Sequence, residues 1–518
     1  MNKVNKLAIL SILLLSGCSY SSMLTDRYEN PMNNNSTNSS SYKIEFVVPN
    51  DGKGIKEKEF YTSYSDLYDY SYVLDNINKV EDNELKNKLS NIYSSFMANP
   101  YHEPNEYTGK YKDYNIINII GETLELRFAH PILTPNLWNI MNNSMYFENY
   151  YVSEFQEGAT CNTEFMSHSS LYPVVTSSWS GAMCQNDQTT YDIFKFAMPA
   201  QLKANGYDCY YFHLGYKNFY RRDVFIPNFG FDKNKIKFIH DIGCNEYVTD
   251  ENNIKFFEKY IDFSKKFYVS NLTYSMHGGY DQNSLGCNKE REERVLKALN
   301  VTKDYFNGME QAFYYLQKFT YFDDYLGDLL NLIKEKGVED KTIINIYRDH
   351  SPYMMNEDHY TKYMQKSNPD MNYKKTSIER YNQPLLIYDC GNPQKEIIKN
   401  AGSSIDLVPT FLNLLGFDLS NANYKHFMGY DILSGKSLAF ISAQSTSKTN
   451  DLVIDSNKFK LEYGDRLSFT GETEEQYEYF NNYLIKVEYF INLMKDIVDT
   501  NYFEYYYYNV EEEVNENE

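Results

Sequence analysis

What most constrains this chain is a pattern recurring between residues 112 and 440: short apolar runs closed by polar residues, separated by stretches of helical spacing. The runs "DYNIINIIGE" (113–122), "YDCYYFHL" (207–214), "KFYVSNLTYS" (266–275), "TIINIYRDH" (342–350) and "QPLLIYD" (383–389) read as strands buried on both faces. Between them, "DIFKFAMPAQLKANG" (192–206), "NNIKFFEKYIDFS" (252–264), "FNGMEQAFYYLQKFTYFDDYLGDLLNLIKEKG" (306–337) and "SIDLVPTFLNLLG" (404–416) read as helices, the first closed by Gly206 as a C-cap. Alternating strand and helix predicts an α/β catalytic domain over 112–440, with a mostly parallel central sheet and helices on both faces. Such sheets bind ligands beyond the carboxyl ends of their strands. Glu122, His277, Asp349 and His350 close or follow these runs, so they are expected to meet in one place.

The flanks carry different signals. Residues 1–17 begin with Lys3 and Lys6 and continue in an apolar run from Leu7 to Leu15. That run is too short for a membrane span, which takes about 20 residues, and reads as an export signal. Leu15, Ser16, Gly17 and Cys18 resemble the lipobox of bacterial lipoproteins, which implies a lipid-modified Cys18 and a location on the extracytoplasmic face of the cell membrane. Residues 18–41 form a polar tether and 42–111 a helical lead-in. Beyond 440, residues 441–505 read as a hairpin turning at Asp455 to Asn457 followed by a helix over 473–499, and 506–518 as an acidic tail. A net charge of −21 argues against a nucleic-acid partner. The six cysteines besides Cys18 lack C-x-x-C spacing, which argues against a structural zinc site, and outside the cell they are free to pair as disulfides.

Three features bear on chemistry. In "IYRDH" (346–350), Asp349 and His350 sit together at a strand end, a carboxylate and an imidazole suited to a divalent cation. Glu122 closes another run, where a carboxylate is costly unless paired or metal-bound. A hydroxyl could complete such a site, and "GATCNTEF" (158–165) offers three nucleophiles, Thr160, Cys161 and Thr163, with Glu164 placed to support the first turn of a following helix. "GYDILSGKS" (429–437) is not a P-loop, because five residues rather than four separate Gly429 from Gly435.

"NIIGETLE" (118–125), "TPNL" (134–137), "GATCNTEFMSHSSLYP" (158–173), "NGYDCYYFHLGYKNFYRRDVFIPNFGFDK" (205–233), "YSMHGGY" (274–280), "IYRDH" (346–350), "SSIDLVPTFLNLLGF" (403–417) and "FMGYDIL" (427–433) occur in an order that resembles the lipoteichoic acid synthases. These are phosphoglycerol transferases of the alkaline phosphatase and sulfatase superfamily. The resemblance implies that Glu122, Thr160, Asp349 and His350 hold one divalent metal, Mn2+ or Mg2+ with Zn2+ as a further option, and that Thr160 is the nucleophile. A hard cation favours the hydroxyl over the neighbouring thiol; Cys161 is left to pack or to form a disulfide, with Cys184 as a candidate partner. The resemblance also implies that Arg222 and Tyr220 hold the head group, with His277 beside the phosphate. Tyr220 stands where tryptophan is usual, and His359, shortly after the Asp-His pair, matches a metal-proximal histidine of related transferases at a different spacing. The implied reaction takes phosphoglycerol from an anionic phospholipid, phosphatidylglycerol, through a phosphothreonine to a glycolipid or glycan acceptor. The alternative is a phosphoethanolamine transferase or a sulfatase-type or phosphodiesterase-type hydrolase on the same fold. Arg348, beside the metal pair where the family has small residues, points toward single transfer or hydrolysis as much as polymerisation.

Overall fold

The computed structural model describes residues 71–99, 102–152, 160–174, 194–369, 378–420, 422–435, 438–444, 448–454, 457–461 and 474–503. The expected signal, Cys18, the tether, Cys184 and the acidic tail lie outside the described residues.

Eight strands form the central sheet: β1 (Asn115–Gly121), β2 (Met145–Phe147), β3 (Asp208–His213), β4 (Ile236–Phe238), β5 (Phe267–Leu272), β6 (Thr342–Arg348), β7 (Leu385–Asp389) and β8 (Glu396–Ile398). Their spatial order is β4-β3-β5-β1-β6-β7-β2-β8. The pairs from β4 through β6 are parallel, whereas β7 runs antiparallel to both β6 and β2. All five apolar runs are strands of this sheet. Every residue of β1, β5 and β6 is buried, because helices cover both faces and no side is left for water. Ile116 and Ile120 of β1 point into one apolar cluster, while Ile117 and Ile119 point into the other. Asn118 lies between the first pair, and its buried amide is satisfied across the sheet: it donates to Tyr268 Oη at 3.1 Å and accepts from Asn345 Nδ2 at 2.6 Å.

The principal helices are α1 (Ser71–Asn78), α2 (Asn83–Met97), α3 (Thr160–Ser169), α4 (Met198–Ala204), α5 (Ile254–Tyr260), α6 (Glu310–Glu335), α7 (Glu357–Ser367), α8 (Leu407–Leu414) and α9 (Glu474–Asp499). Asp82 caps α2 by accepting a hydrogen bond from Leu85 N, and Asn356 caps α7 through Asp358 N and His359 N. Phe165 of α3, Phe411 of α8, Phe96 of α2 and Phe490 of α9 share one cluster; Tyr315, Phe319, Phe322 and Leu326 of α6 fill the other. A three-stranded antiparallel sheet, β9 (Leu438–Gln444), β10 (Lys448–Ile454) and β11 (Asn457–Leu461), follows. The expected turn at Asp455 to Asn457 falls partly outside the described residues. No described helix is long and apolar enough to cross a membrane.

Because β3, β5, β1 and β6 are mutually parallel, their carboxyl ends open on one edge of the sheet. That edge receives Glu122 after β1, Asp349 and His350 after β6, the 273–280 turn after β5, and the 214–222 segment after β3.

Candidate active site

Glu122, Asp349 and His350 are buried, and one ligand atom from each lies within 4.8 Å of the others. His350 Nε2 is 3.1 Å from Asp349 Oδ2 and 3.6 Å from Glu122 Oε1. His350 Nδ1 lies 3.0 Å from the Ser351 carbonyl, an acceptor only, so Nδ1 donates there and Nε2 is the ring nitrogen that faces the site. Thr160 Oγ1, at the first residue of α3, sits 3.2 Å from that Nε2. The two loops are tied together: Thr123 N and His350 N donate to Asp349 Oδ1 at 2.8 and 2.7 Å, and Glu122 N donates to Thr273 Oγ1 at 2.9 Å. Thr163 Oγ1 donates to the Asp349 carbonyl at 2.6 Å and locks α3 to the end of β6.

Two carboxylate oxygens, Glu122 Oε1 and Asp349 Oδ2, are buried with no hydrogen-bond partner. Burial and then the neighbouring Asp349 push the Glu122 carboxyl well above its ordinary pKa. Two buried carboxylate oxygens and an imidazole nitrogen within 4.8 Å of one another, with the Thr160 hydroxyl beside them, fit a hard divalent cation.

Arg222 and Glu164 form a buried pair beside this group. Arg222 Nη2 lies 2.8 Å from Glu164 Oε2, and Nε donates to Oε2 at 3.0 Å and, more weakly, to Oε1 at 3.3 Å. Tyr211 Oη donates to Glu164 Oε1 at 2.5 Å. Burial works against the Arg222 charge, but Glu164 outweighs it and holds the guanidinium above its ordinary pKa. Arg222 Nη1 is buried without a partner, and the guanidinium lies 5.2 Å from the Tyr220 ring centre. Tyr220 and Arg221 both adopt left-handed backbone, φ 55° and 53°, a strained pair that lets the segment turn Arg222 inward while Lys217 and Phe219 stay exposed. Glu164 was expected to serve the first turn of a helix; since α3 begins at Thr160, it lies inside that helix and is consumed by Arg222 and Tyr211.

His277 is half-buried, and its ring stacks on Tyr274 at 5.3 Å and 8°, which in turn stacks on Tyr247 at 4.3 Å and 3°. Burial, then His350, lowers the His277 pKa below its ordinary value. His359 is not among the site residues. Its Nε2 faces Glu310 Oε2 at 3.4 Å and its Nδ1 accepts from Gln311 N at 3.3 Å, both at the start of α6. Arg348 also leaves the site: it is fully buried, with Nη2 donating to the Arg380 carbonyl at 2.6 Å and Nη1 3.5 Å from Glu125 Oε2. Strand alternation explains it, because Arg348 is the last residue of β6 and Asp349 follows on the opposite side.

His213, the last residue of β3, also stands at this carboxyl edge, with Nδ1 3.2 Å from the Leu272 carbonyl. It is buried, and burial followed by the Arg222 charge lowers its pKa well below the ordinary value. In the sequence, His213 closes an apolar run much as Glu122 does. Cys161 is disulfide-bonded, whereas Cys209, Cys244, Cys287 and Cys390 are free.

An open, mostly parallel sheet that gathers a buried threonine and a hard-cation donor set at its carboxyl edge defines the alkaline phosphatase and sulfatase class of fold. The sulfatase family model matches residues 114–417, and the chain belongs to that family. It is 25% identical over 400 residues to lipoteichoic acid synthase 2 of Bacillus subtilis (strain 168), covering 73% of this chain and 56% of that protein. It is 26% identical over 408 residues to the lipoteichoic acid synthase of Staphylococcus saprophyticus, covering 73% and 57%. The chain thus spans little more than half the length of these curated relatives. Among solved structures, the lipoteichoic acid synthase LtaP from Listeria monocytogenes superposes with a TM-score of 0.59 at 21% identity, over 78% of this chain and 98% of that one.

Proposed function

We propose that this chain is a metal-dependent transferase at the extracytoplasmic face of the cell membrane, moving phosphoglycerol from phosphatidylglycerol to a hydroxyl of a glycolipid or glycan. The observation that carries the reading is Thr160 Oγ1 standing 3.2 Å from His350 Nε2 beside two buried carboxylate oxygens that accept no hydrogen bond. Glu122, Thr160, Asp349 and His350 would hold Mn2+ or Mg2+. When bound, such a cation lowers the pKa of a hydroxyl and draws charge from phosphoryl oxygens.

The chain's own residues do the rest. Thr160 Oγ attacks phosphorus, the bond from phosphorus to the diacylglycerol oxygen breaks, and a phosphoglycerol ester remains on Thr160. The leaving oxygen takes a proton from His277, and the proton that Thr160 gives up returns to the imidazole through solvent, so diacylglycerol leaves as the neutral alcohol. Arg222, held rigid by Glu164, has Nη1 available for a phosphoryl oxygen, and Tyr220 flanks it. The acceptor hydroxyl then attacks the same phosphorus and frees Thr160, so kinetics are ping-pong. Lipid on Cys18 and the 18–41 tether would keep the site within reach of lipid head groups. Phosphatidylglycerol labelled in its head group tests the reading. Label should pass to an acceptor with release of diacylglycerol, and Thr160→Ala should do neither; transfer from phosphatidylethanolamine alone, or undiminished turnover by the alanine variant, contradicts it.

A further inference from the structure

Lys318 is a lysine almost without exposure, on the face of α6 that supports the active-site loops. Its Nζ donates to the carbonyl oxygens of His277 at 2.7 Å and Gly279 at 2.9 Å, and lies 5.2 Å from the Tyr280 ring centre. One turn earlier on the same helix, Tyr315 Oη accepts from Glu125 N and donates to the Thr123 carbonyl, both at 2.9 Å. A single helix face therefore grips the loop after Glu122 and the turn that carries His277. Met354 packs directly on the turn, since a Cβ added to Gly278 would meet its Sδ at 2.1 Å. Tyr274 stacks on the His277 ring, and the two carbonyl bonds hold the backbone that carries it.

A buried ammonium is an expensive way to fill that space. Burial lowers its pKa to about 8, and an apolar side chain of similar volume would pack there at less cost to stability. The expense is explained if the gain lies in placing a functional group. We propose that Lys318 is a positioning residue for His277: it clamps the His277–Gly279 turn through two carbonyls, so that the imidazole meets the leaving oxygen in one orientation. This rests on the assignment of His277 to that oxygen.

A double-mutant cycle tests it, with full-length wild type, Lys318→Met, His277→Ala and the double variant assayed for head-group release from phosphatidylglycerol in mixed micelles with Mn2+. A displacement of about 1 Å can cost roughly 100-fold, so Lys318→Met is expected to lower kcat by about 10- to 100-fold with KM changed less than about 3-fold. In the His277→Ala background the same substitution should cost less than about 3-fold, because its effect travels through the imidazole. An equal loss in both backgrounds overturns the proposal and makes Lys318 a residue of the fold alone. If His277→Ala itself retains wild-type kcat, the assignment of His277 fails first and the proposal with it. Should Lys318→Met not fold, Lys318→Gln goes through the same cycle with the same two criteria.

Discussion

Replacing Glu164 by glutamine keeps the side chain's shape, leaves an oxygen for Tyr211 Oη, and strips Arg222 of its paired carboxylate. Both partners are buried, at 2% and 0% side-chain exposure, and meet through contacts of 2.8 and 3.0 Å. At an effective dielectric of about 20, charges about 4 Å apart attract by roughly 4 kcal/mol. Breaking a buried pair on one side costs about 3–5 kcal/mol, since the remaining charge stays out of water. For a chain of this size about 2 °C is lost per kcal/mol, so the melting temperature should fall by roughly 6–10 °C. Thermal unfolding and urea titration read the effect. Adding Arg222→Met should recover most of the loss, since no unpaired charge is then buried. A Glu164→Gln variant within about 1 kcal/mol of wild type, or a double variant as unstable as the sum of its parts, would refute the reasoning.

Other consequences follow from the same geometry. In EDTA, Glu122→Gln should melt above wild type, because it removes a carboxyl that burial and Asp349 disfavour; with Mn2+ the order should reverse, wild type gaining about 2.7 kcal/mol at a hundredfold excess over Kd. Equal metal shifts in both proteins would contradict the donor set. Asp406 accepts from Ser403 N and Tyr430 N, yet burial raises its pKa from 3.8 to about 7. Folding therefore tightens proton binding there, and the stability it contributes, complete below pH 3.8, is lost as pH rises through about 7. Melting curves should show Asp406→Asn gaining on wild type from pH 4 to about 7 and levelling off above it, and a constant difference across that range would contradict this.

Glu122, Asp349 and His350 were legible because a parallel sheet turns the polar residue after each buried strand toward one edge, and that rule needs only the apolar run and the residue that ends it. The strands β2, β4 and β8 were not, as three residues are too few to show a period. Glu164 and Lys318 were hidden for another reason: each sits in a helix where its type is ordinary, and its role depends on a partner from a distant segment. Arg348 stands beside the metal pair in sequence, but strand alternation sends its guanidinium toward Glu125 instead.

Intact-mass measurement after incubation with phosphatidylglycerol and Mn2+, followed by peptide mapping, bears most directly on the central claim. A gain of one phosphoglycerol group on Thr160 is expected, reversed by acceptor and absent in Thr160→Ala. Lipid turnover with no adduct at Thr160 under conditions that trap intermediates, or an adduct on another residue, would contradict it.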